Sequence, residues 1–253
     1  MSFIYPQWPA PMSVKSLVST RVGGVSQKPY DSLNLGDHVG DQAANVLQNR
    51  VIFTKALPTR PVWLKQTHST LVSTPQSRQS ELEKPMNADA SVSNIPSEVL
   101  VIMTADCLPV LFTNSSGTVV GAAHAGWRGL CAGILENTIA ELLNISVDKN
   151  PADLIAYLGP AIGPETFEVG QDVVKAFADS GLAIPSGAFK PIPNKAGKFL
   201  ADIYMLARGR LENSGVKMIF GGQYCTVRDH EQFFSYRRDG ETGRFASAIW
   251  ISK

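Results

Sequence analysis

The chain of 253 residues carries only four histidines and three cysteines, so any site that needs imidazole or thiolate draws on few positions. His68 closes the run Trp63-Leu64-Lys65-Gln66-Thr67-His68, Cys107 lies in Thr104-Ala105-Asp106-Cys107-Leu108-Pro109, and His124 lies in Ala122-Ala123-His124-Ala125-Gly126-Trp127-Arg128-Gly129. Each stands where a strand candidate gives way to a turn. A rigid strand aims a side chain there, and the turn opens room for a ligand. Brought together, a thiolate and two neutral imidazoles form a three-ligand set that holds zinc and leaves a fourth position open. The same set suits copper. Ligands this far apart in sequence indicate a preformed catalytic site, since a folding clip uses close Cys-x-x-Cys spacing. A rival use of the same atoms is a Cys107–His124 dyad with a nucleophilic thiolate and Asp106 nearby. The plain alternative is that Cys107 is a small core hydrophobe and each histidine a satisfied structural residue. Cys131 and Cys225 read as core residues, and His38 and His230, among acidic neighbours, as loop and solvated residues.

Counting excludes several classes. A mononuclear blue-copper centre would consume His68, His124 and Cys107, leaving two histidines for a multicopper cluster that needs many more. The signatures of zinc cytidine-type deaminases, dinucleotide-binding folds, P-loop enzymes, Gly-x-Ser-x-Gly hydrolases and His-Glu-x-x-His proteases are absent. Lys+Arg 23 against Asp+Glu 22 leaves a net charge of +1, which gives no global field for nucleic acid or an anionic membrane. An odd cysteine count in a chain this large argues for a reducing compartment, so a cytoplasmic location is expected. The first charged residue is Lys15, and prolines interrupt the N-terminal apolar residues, which is no secretory pattern. Cys107 to Trp127 is a stretch of 21 residues without a formal charge, long enough to span a bilayer. Pro109, Asn114, Ser115, Ser116, Gly117 and Gly121 interrupt it, and it predicts a buried hairpin.

The elements that must position these residues follow from apolar spacing. Strands are predicted over 13–19, 61–68, 99–104, 108–112, 118–124, 154–158, 216–220, 233–236 and 245–251, the central three apolar on both faces and hence interior. Helices are predicted over 42–57, with Val46, Leu47, Ile52, Phe53 and Leu57 inward, over 128–143, over 171–179 with Gly181 just beyond, and over 201–213 stopped by Gly215. The region from 69 to 93 reads as loop with short strands. Strands in pairs and triples between single helices predict an α+β fold of mixed β-sheets flanked by helices. With no linker or repeat, one domain spanning 1–253 is expected.

The motifs Thr20-Arg21-Val22-Gly23-Gly24-Val25-Ser26, Ser32-Leu33-Asn34-Leu35-Gly36, Lys65-Gln66-Thr67-His68, Met103-Thr104-Ala105-Asp106-Cys107-Leu108-Pro109-Val110, His124-Ala125-Gly126-Trp127-Arg128-Gly129, Leu158-Gly159-Pro160-Ala161-Ile162-Gly163 and Phe233-Phe234-Ser235-Tyr236-Arg237-Arg238-Asp239 occur in this order. Together they closely resemble the bacterial YfiH family, also called the laccase-domain or polyphenol oxidase family. Thr67 and Ser69 flank the histidine where that family often has Val and Gly; His68 itself is retained. The resemblance implies an α/β/β/α sandwich and a metal, zinc or sometimes copper, bound by His68, Cys107 and His124. It implies phosphorolysis of adenosine, inosine and methylthioadenosine, with adenosine deamination beside it. Phenol oxidation with copper and cysteine-type amidase editing of peptidoglycan precursors are the alternatives. The expected partners are thus a small-molecule nucleoside and phosphate, without nucleic acid or membrane. Phosphorolysis needs cations for phosphate and an acid for the leaving base. Arg21, in a Gly-rich turn, and Arg128, opening a helix, are the phosphate candidates. Asp106 is the candidate acid or metal-orienting carboxylate. Asn34, Gln66, Tyr236 and Arg237 are candidates for ribose or base through motif membership.

Overall fold

The computed structural model describes residues 3–79 and 85–253. The uncharged stretch folds as a hairpin of the Leu108–Asn114 and Val120–Ala125 strands, all of whose residues are buried. Its turn is closed by Asn114, whose Nδ2 donates to Ser116 and Thr118 hydroxyls and whose Oδ1 accepts from the Thr118 backbone N–H. This hairpin is the centre of a six-stranded sheet ordered Met218–Gly221, Leu154–Leu158, Leu108–Asn114, Val120–Ala125, Ala90–Ser93, Val72–Ser73. The outermost pairings are parallel and the inner ones antiparallel. A second, antiparallel sheet of four strands runs Phe3–Ile4, Val14–Ser19, Phe245–Ile251, Leu100–Thr104.

Alternation along the strands sorts the apolar residues into three layers of core. Leu100, Ile102 and Ile249 meet Leu111, Val120, Ala122 and Tyr157 between the two sheets. The opposite parity, Val101, Met103, Ala246 and Ala248, packs on Phe53 of the Ala43–Thr54 helix. On the far side Val110, Phe112, Ala123 and Ala125 pack on Leu135, Ile139 and Leu142 of the Ile134–Ile145 helix and Leu206 and Leu211 of the Ile203–Asn213 helix. The result is the expected mixed α+β architecture, helix over sheet over sheet over helix. Burying each of the larger of these side chains, such as Ile102, Leu111 or Phe53, contributes roughly 1.5–3 kcal/mol, which fixes the strand ends that carry the site.

Several elements differ from expectation for identifiable reasons. The helix expected over 128–143 divides into Trp127–Ala132 and Ile134–Ile145, because Gly133 sits at φ 103 and donates its N–H back to Gly129. The 61–68 strand shrinks to Leu64–Lys65, since Gln66 turns its amide onto the Met103 backbone. No strand forms over 233–236. Phe233 and Phe234 are buried with Phe245, and Ser235 caps a short Tyr236–Asp239 helix by accepting from the Arg238 N–H at 3.2 Å. Ala201 ends the Lys198–Ala201 strand, and Asp202 caps the helix that follows. Leu47 faces outward at 67% exposure, while Asn49 takes its place on the inward side of the Ala43–Thr54 helix. Among the described residues no helix is long and apolar enough to cross a membrane.

Candidate active site

Three chain segments converge where the two sheets open at one end. The Leu100–Thr104 strand ends, and Asp106 at φ 98 turns the chain so that Cys107 stands just before the Leu108–Asn114 strand. His124 lies opposite Pro109 in register and has the parity of Val120 and Ala122, the face between the sheets. His68 adopts φ 61 in the turn after Leu64–Lys65. Left-handed backbone at two non-glycine residues costs of order 1–3 kcal/mol each and needs outside support. Asp89 provides it at His68. Its wholly buried carboxylate accepts the backbone N–H of His68 at 2.9 Å, of Thr67 at 3.1 Å and of Ser69 at 2.6 Å, the Ser69 hydroxyl at 2.7 Å, and His124 Nδ1 at 2.8 Å. With the Nδ1 proton held by Asp89, His124 keeps Nε2 for the site.

The ligand atoms of His68, Cys107 and His124 all lie within 4.8 Å of one another, the only such group among the described residues. Cys107 Sγ is 3.7 Å from His68 Nε2, close to the ~3.6 Å edge of a tetrahedron with zinc–sulfur and zinc–nitrogen bonds. Gly126 makes this approach feasible, because a Cβ there would lie 2.8 Å from His68 Cδ2 and 3.0 Å from Cys107 Sγ. Burial pushes the Cys107 thiol up, but the adjacent imidazoles of His124 and His68 outweigh it and hold the thiol well below its ordinary range. Burial likewise pulls His124 down, and the Cys107 sulfur with Asp89 reverses it to a net rise. An N₂S donor set with a thiolate-favouring sulfur, a carboxylate orienting one imidazole and an open side fits a divalent metal of zinc's coordination habit.

The open side is a cavity of about 490 Å³ lined by the donor triad, Gln66, Thr104, Asp106, Trp127, Arg128, Phe167, Tyr236, Arg237, Arg244 and His38 among others. Of the expected residues, Arg128 lines it with its guanidinium 4.4 Å over the Trp127 ring, and Tyr236 sits 62% exposed at the rim. Gln66 lines it with an amide engaged by Met103 N–H and C=O, so the residue shapes the wall. Arg237 is braced by its Nη1 on the Thr166 carbonyl. Asp106 lines the cavity too, but both carboxylate oxygens already accept, from Thr226 Oγ1 at 2.6 Å and the Arg237 backbone N–H at 2.6 Å. It braces the short helix carrying Tyr236 and Arg237, and the carboxylate that holds an imidazole of the donor set is Asp89.

Two expected residues lie outside the cavity. Arg21 lines a separate depression with Asp31 and His230, pairs with Asp31 at 3.5 Å, and stacks 4.8 Å over Phe234. The N–H groups of its Gly-rich turn are taken by the Ser32 hydroxyl and Asn49, which leaves no anion nest. Asn34 is fully buried, bonded to Gly36, Asp41 and the Arg244 backbone. Asp89 and Arg244 were not singled out from the sequence, and His38, expected only as a loop residue, lines the cavity. The one available signal was a charge at the edge of an apolar run, at Asp89 before Ala90-Ser91-Val92 and at Arg244 before Phe245.

A sequence profile described as "Multi-copper polyphenol oxidoreductase laccase" matches residues 15–252. The chain belongs to this family. Within the family it is 52% identical over 250 residues to the Escherichia coli protein "Purine nucleoside phosphorylase YfiH", with 98% of each chain covered. A Pseudomonas aeruginosa "Purine nucleoside phosphorylase PA4543" is 49% identical, covering 99% of this chain and 98% of that one. Among family structures, Neisseria meningitidis protein NMB0706 superposes with a TM-score of 0.90 at 49% identity over all of both chains. YlmD from Geobacillus stearothermophilus gives 0.86 at 29% identity, again over all of both chains.

Proposed function

We propose that the chain catalyses phosphorolysis of purine nucleosides, namely adenosine, inosine and methylthioadenosine, to the free base and the corresponding ribose 1-phosphate. The observation that carries this reading is one shared cavity, in which the donor triad of His68, Cys107 and His124 opens toward Arg128, Arg237 and Arg244. Its volume of about 490 Å³ suits a ligand of nucleoside size. The relatives named purine nucleoside phosphorylase match over nearly the whole chain. Trp127 and Phe167 supply apolar wall for a base, and Tyr236 and Arg237 stand at the rim for base or ribose. His68, Cys107 and His124 would hold a divalent ion, for which zinc suits the donor set. When bound it supplies Lewis acidity toward a substrate oxygen. Copper in a multinuclear cluster lacks ligands, because His38 is exposed at the cavity mouth and His230 lies in the Arg21 depression.

The chemistry balances without a dedicated protein acid. An oxygen of HPO₄²⁻ forms the bond to C1′, the N9–C1′ bond breaks with its electron pair on the purine, and the phosphate's proton leaves on the base. Arginines hold the anion and release a dianionic ester. Adenosine deamination belongs to the same cavity as a side activity. The lowered Cys107 thiol beside His68 favours one second reading, a cysteine nucleophile in amidase chemistry. Incubation with inosine decides between them: hypoxanthine and ribose 1-phosphate form only with phosphate present, and chelation of the metal abolishes it. Full activity after metal removal, or phosphate-independent base release, overturns the proposal.

A further inference from the structure

One cavity cation is held by parts of the chain far apart in sequence. Arg244 precedes the Phe245–Ile251 strand, and its Nη1 donates to the carbonyls of Thr242 at 3.0 Å and Gly243 at 2.9 Å. Its backbone N–H donates to Asn34 Oδ1 at 2.8 Å, and its carbonyl accepts from the Leu35 N–H at 3.0 Å. Its stem crosses Gly36, where a Cβ would lie 2.8 Å from Arg244 Cγ. Asn34 in turn ties Gly36 and Asp41 together. The Ser-Leu-Asn-Leu-Gly motif therefore builds a cradle for an arginine and does not itself line the cavity.

Arg244 is half-buried and forms no ion pair among the described residues, whereas Arg21, Arg50, Arg210 and Arg238 each pair with a carboxylate. Arg128 and Arg237 also lack such partners but are exposed, one stacked on Trp127 and the other braced on Thr166. A half-buried guanidinium with no carboxylate in contact keeps N–H donors for an arriving anion. Burial pushes the guanidinium down, opposed first by Cys107 and then by Asp106. Thr104, which lines the same cavity, lies opposite Phe245 in register and keeps a buried hydroxyl without a partner.

We propose that Arg244, presented by the Asn34–Gly36 cradle, is the residue that binds orthophosphate in the cavity. The planar guanidinium matches a phosphate edge with two parallel N–H donors, which a lysine ammonium cannot reproduce. The assignment deepens the phosphorolysis reading and rests on it for its role. The oxyanion has two sources, free phosphate or the 5′-phosphate of a nucleotide, and the experiment separates them.

Calorimetric titration of orthophosphate into the metal-loaded full chain tests the site without turnover, and steady-state kinetics test its role. Charge-assisted bidentate contacts predict a loss of about 10–100-fold in phosphate affinity for Arg244→Gln. Arg244→Lys, which keeps charge and bulk, recovers only part of it. Gly36→Ala lowers phosphate affinity by displacing the stem, although Gly36 touches no ligand. Bound metal and the KM for inosine stay within about two-fold in Arg244→Lys, as expected when the lost contact lies on one substrate. Unchanged phosphate affinity in both Arg244 variants overturns the assignment, as does a loss confined to Arg128→Gln. Weakened inhibition by inosine 5′-monophosphate with intact phosphate binding also overturns it. Arg244-dependent phosphate binding without nucleoside cleavage keeps the site and overturns the phosphorolysis reading alone.

Discussion

Asp89→Asn tests the physical account of the site most directly. The wild-type carboxylate is fully buried and accepts from three backbone N–H groups, one hydroxyl and one imidazole. An amide keeps one oxygen. If its NH₂ replaces Oδ2 it meets the N–H groups of Thr67 and Ser69. If it replaces Oδ1 it meets the N–H of His68 and Nδ1 of His124. The first orientation sets two backbone N–H groups against the NH₂, and the second sets the His68 N–H against it and forces His124 to move its proton to Nε2, where a metal ligand needs a lone pair. Bonds to a charged acceptor are worth about 1.5–3 kcal/mol each, so the less costly orientation sets the expected destabilisation at about 1.5–3 kcal/mol, a sizeable share of the ~5–15 kcal/mol of a typical domain.

The same substitution frees the ring of His124 and the φ 61 turn at His68, so metal affinity falls about 10–100-fold, as for other carboxylates that orient ligands. Denaturant unfolding of the metal-free protein gives the first number, and competition with a chelator of known affinity gives the second. Acid titration supplies an independent check. Burial raises the Asp89 carboxyl, but hydrogen bonds from His124 and Ser69 and the His124 charge outweigh it and depress it strongly. A depressed carboxylate stabilises the fold above its unfolded value near ~3.9 and loses that contribution as pH falls through the folded value. The wild type therefore weakens below about pH 4 by a component that the Asn variant lacks. An Asn variant within about 1 kcal/mol of wild type, with unaltered metal affinity, would refute the account of Asp89 as the tie between the two histidines.

Three further outcomes follow from single contacts. Gly126→Ala places a Cβ 2.8 Å from His68 Cδ2 and 3.0 Å from Cys107 Sγ at an unstrained φ of −62, so metal affinity measured by chelator competition drops by about 10-fold or more while the thermal midpoint changes little; equal affinity contradicts the packing. In metal-free protein at pH 7, iodoacetamide modifies Cys107 well ahead of Cys131, because imidazoles lower the first thiol and burial raises the second; peptide mass spectrometry showing equal rates contradicts the electrostatics. Gly133→Ala forces an alanine into φ 103 at the joint of two helices and costs about 1–2 kcal/mol in denaturant unfolding, without changing metal affinity.

The central strands were legible because runs such as Val99 to Thr104 and Leu108 to Phe112 are apolar at every position, and only interior strands tolerate that. The same property hid which face meets which layer. When both parities are apolar, nothing local separates Leu111, which meets the other sheet, from Val110 and Phe112, which meet helices. The three donors were legible from residue type and place. Asp89 was not, because its partners lie 20 to 35 positions away and the short run around it reads as polar loop.

Arg21 and Asn34 lie outside the cavity for a common reason. A Gly-rich turn with an arginine and a motif asparagine both have the chemistry to bind a substrate, yet folding consumed them. Asp31 took the guanidinium, Ser32 took the glycine N–H groups, and the Arg244 backbone took the Asn34 oxygen. A motif marks where polar groups are needed, and it does not say whether the partner is inside the chain or arrives from solvent. Buried polar groups are paired almost without exception in a folded protein. Facing the cavity with bonding capacity left after internal pairing are the sulfur of Cys107, Nε2 of His124 beside it, and the Arg244 guanidinium, cradled by backbone and without an ion-pair partner among the described residues. These groups share one cavity, although the motifs that contribute to it and support it are spread from residue 20 to residue 239 of the chain.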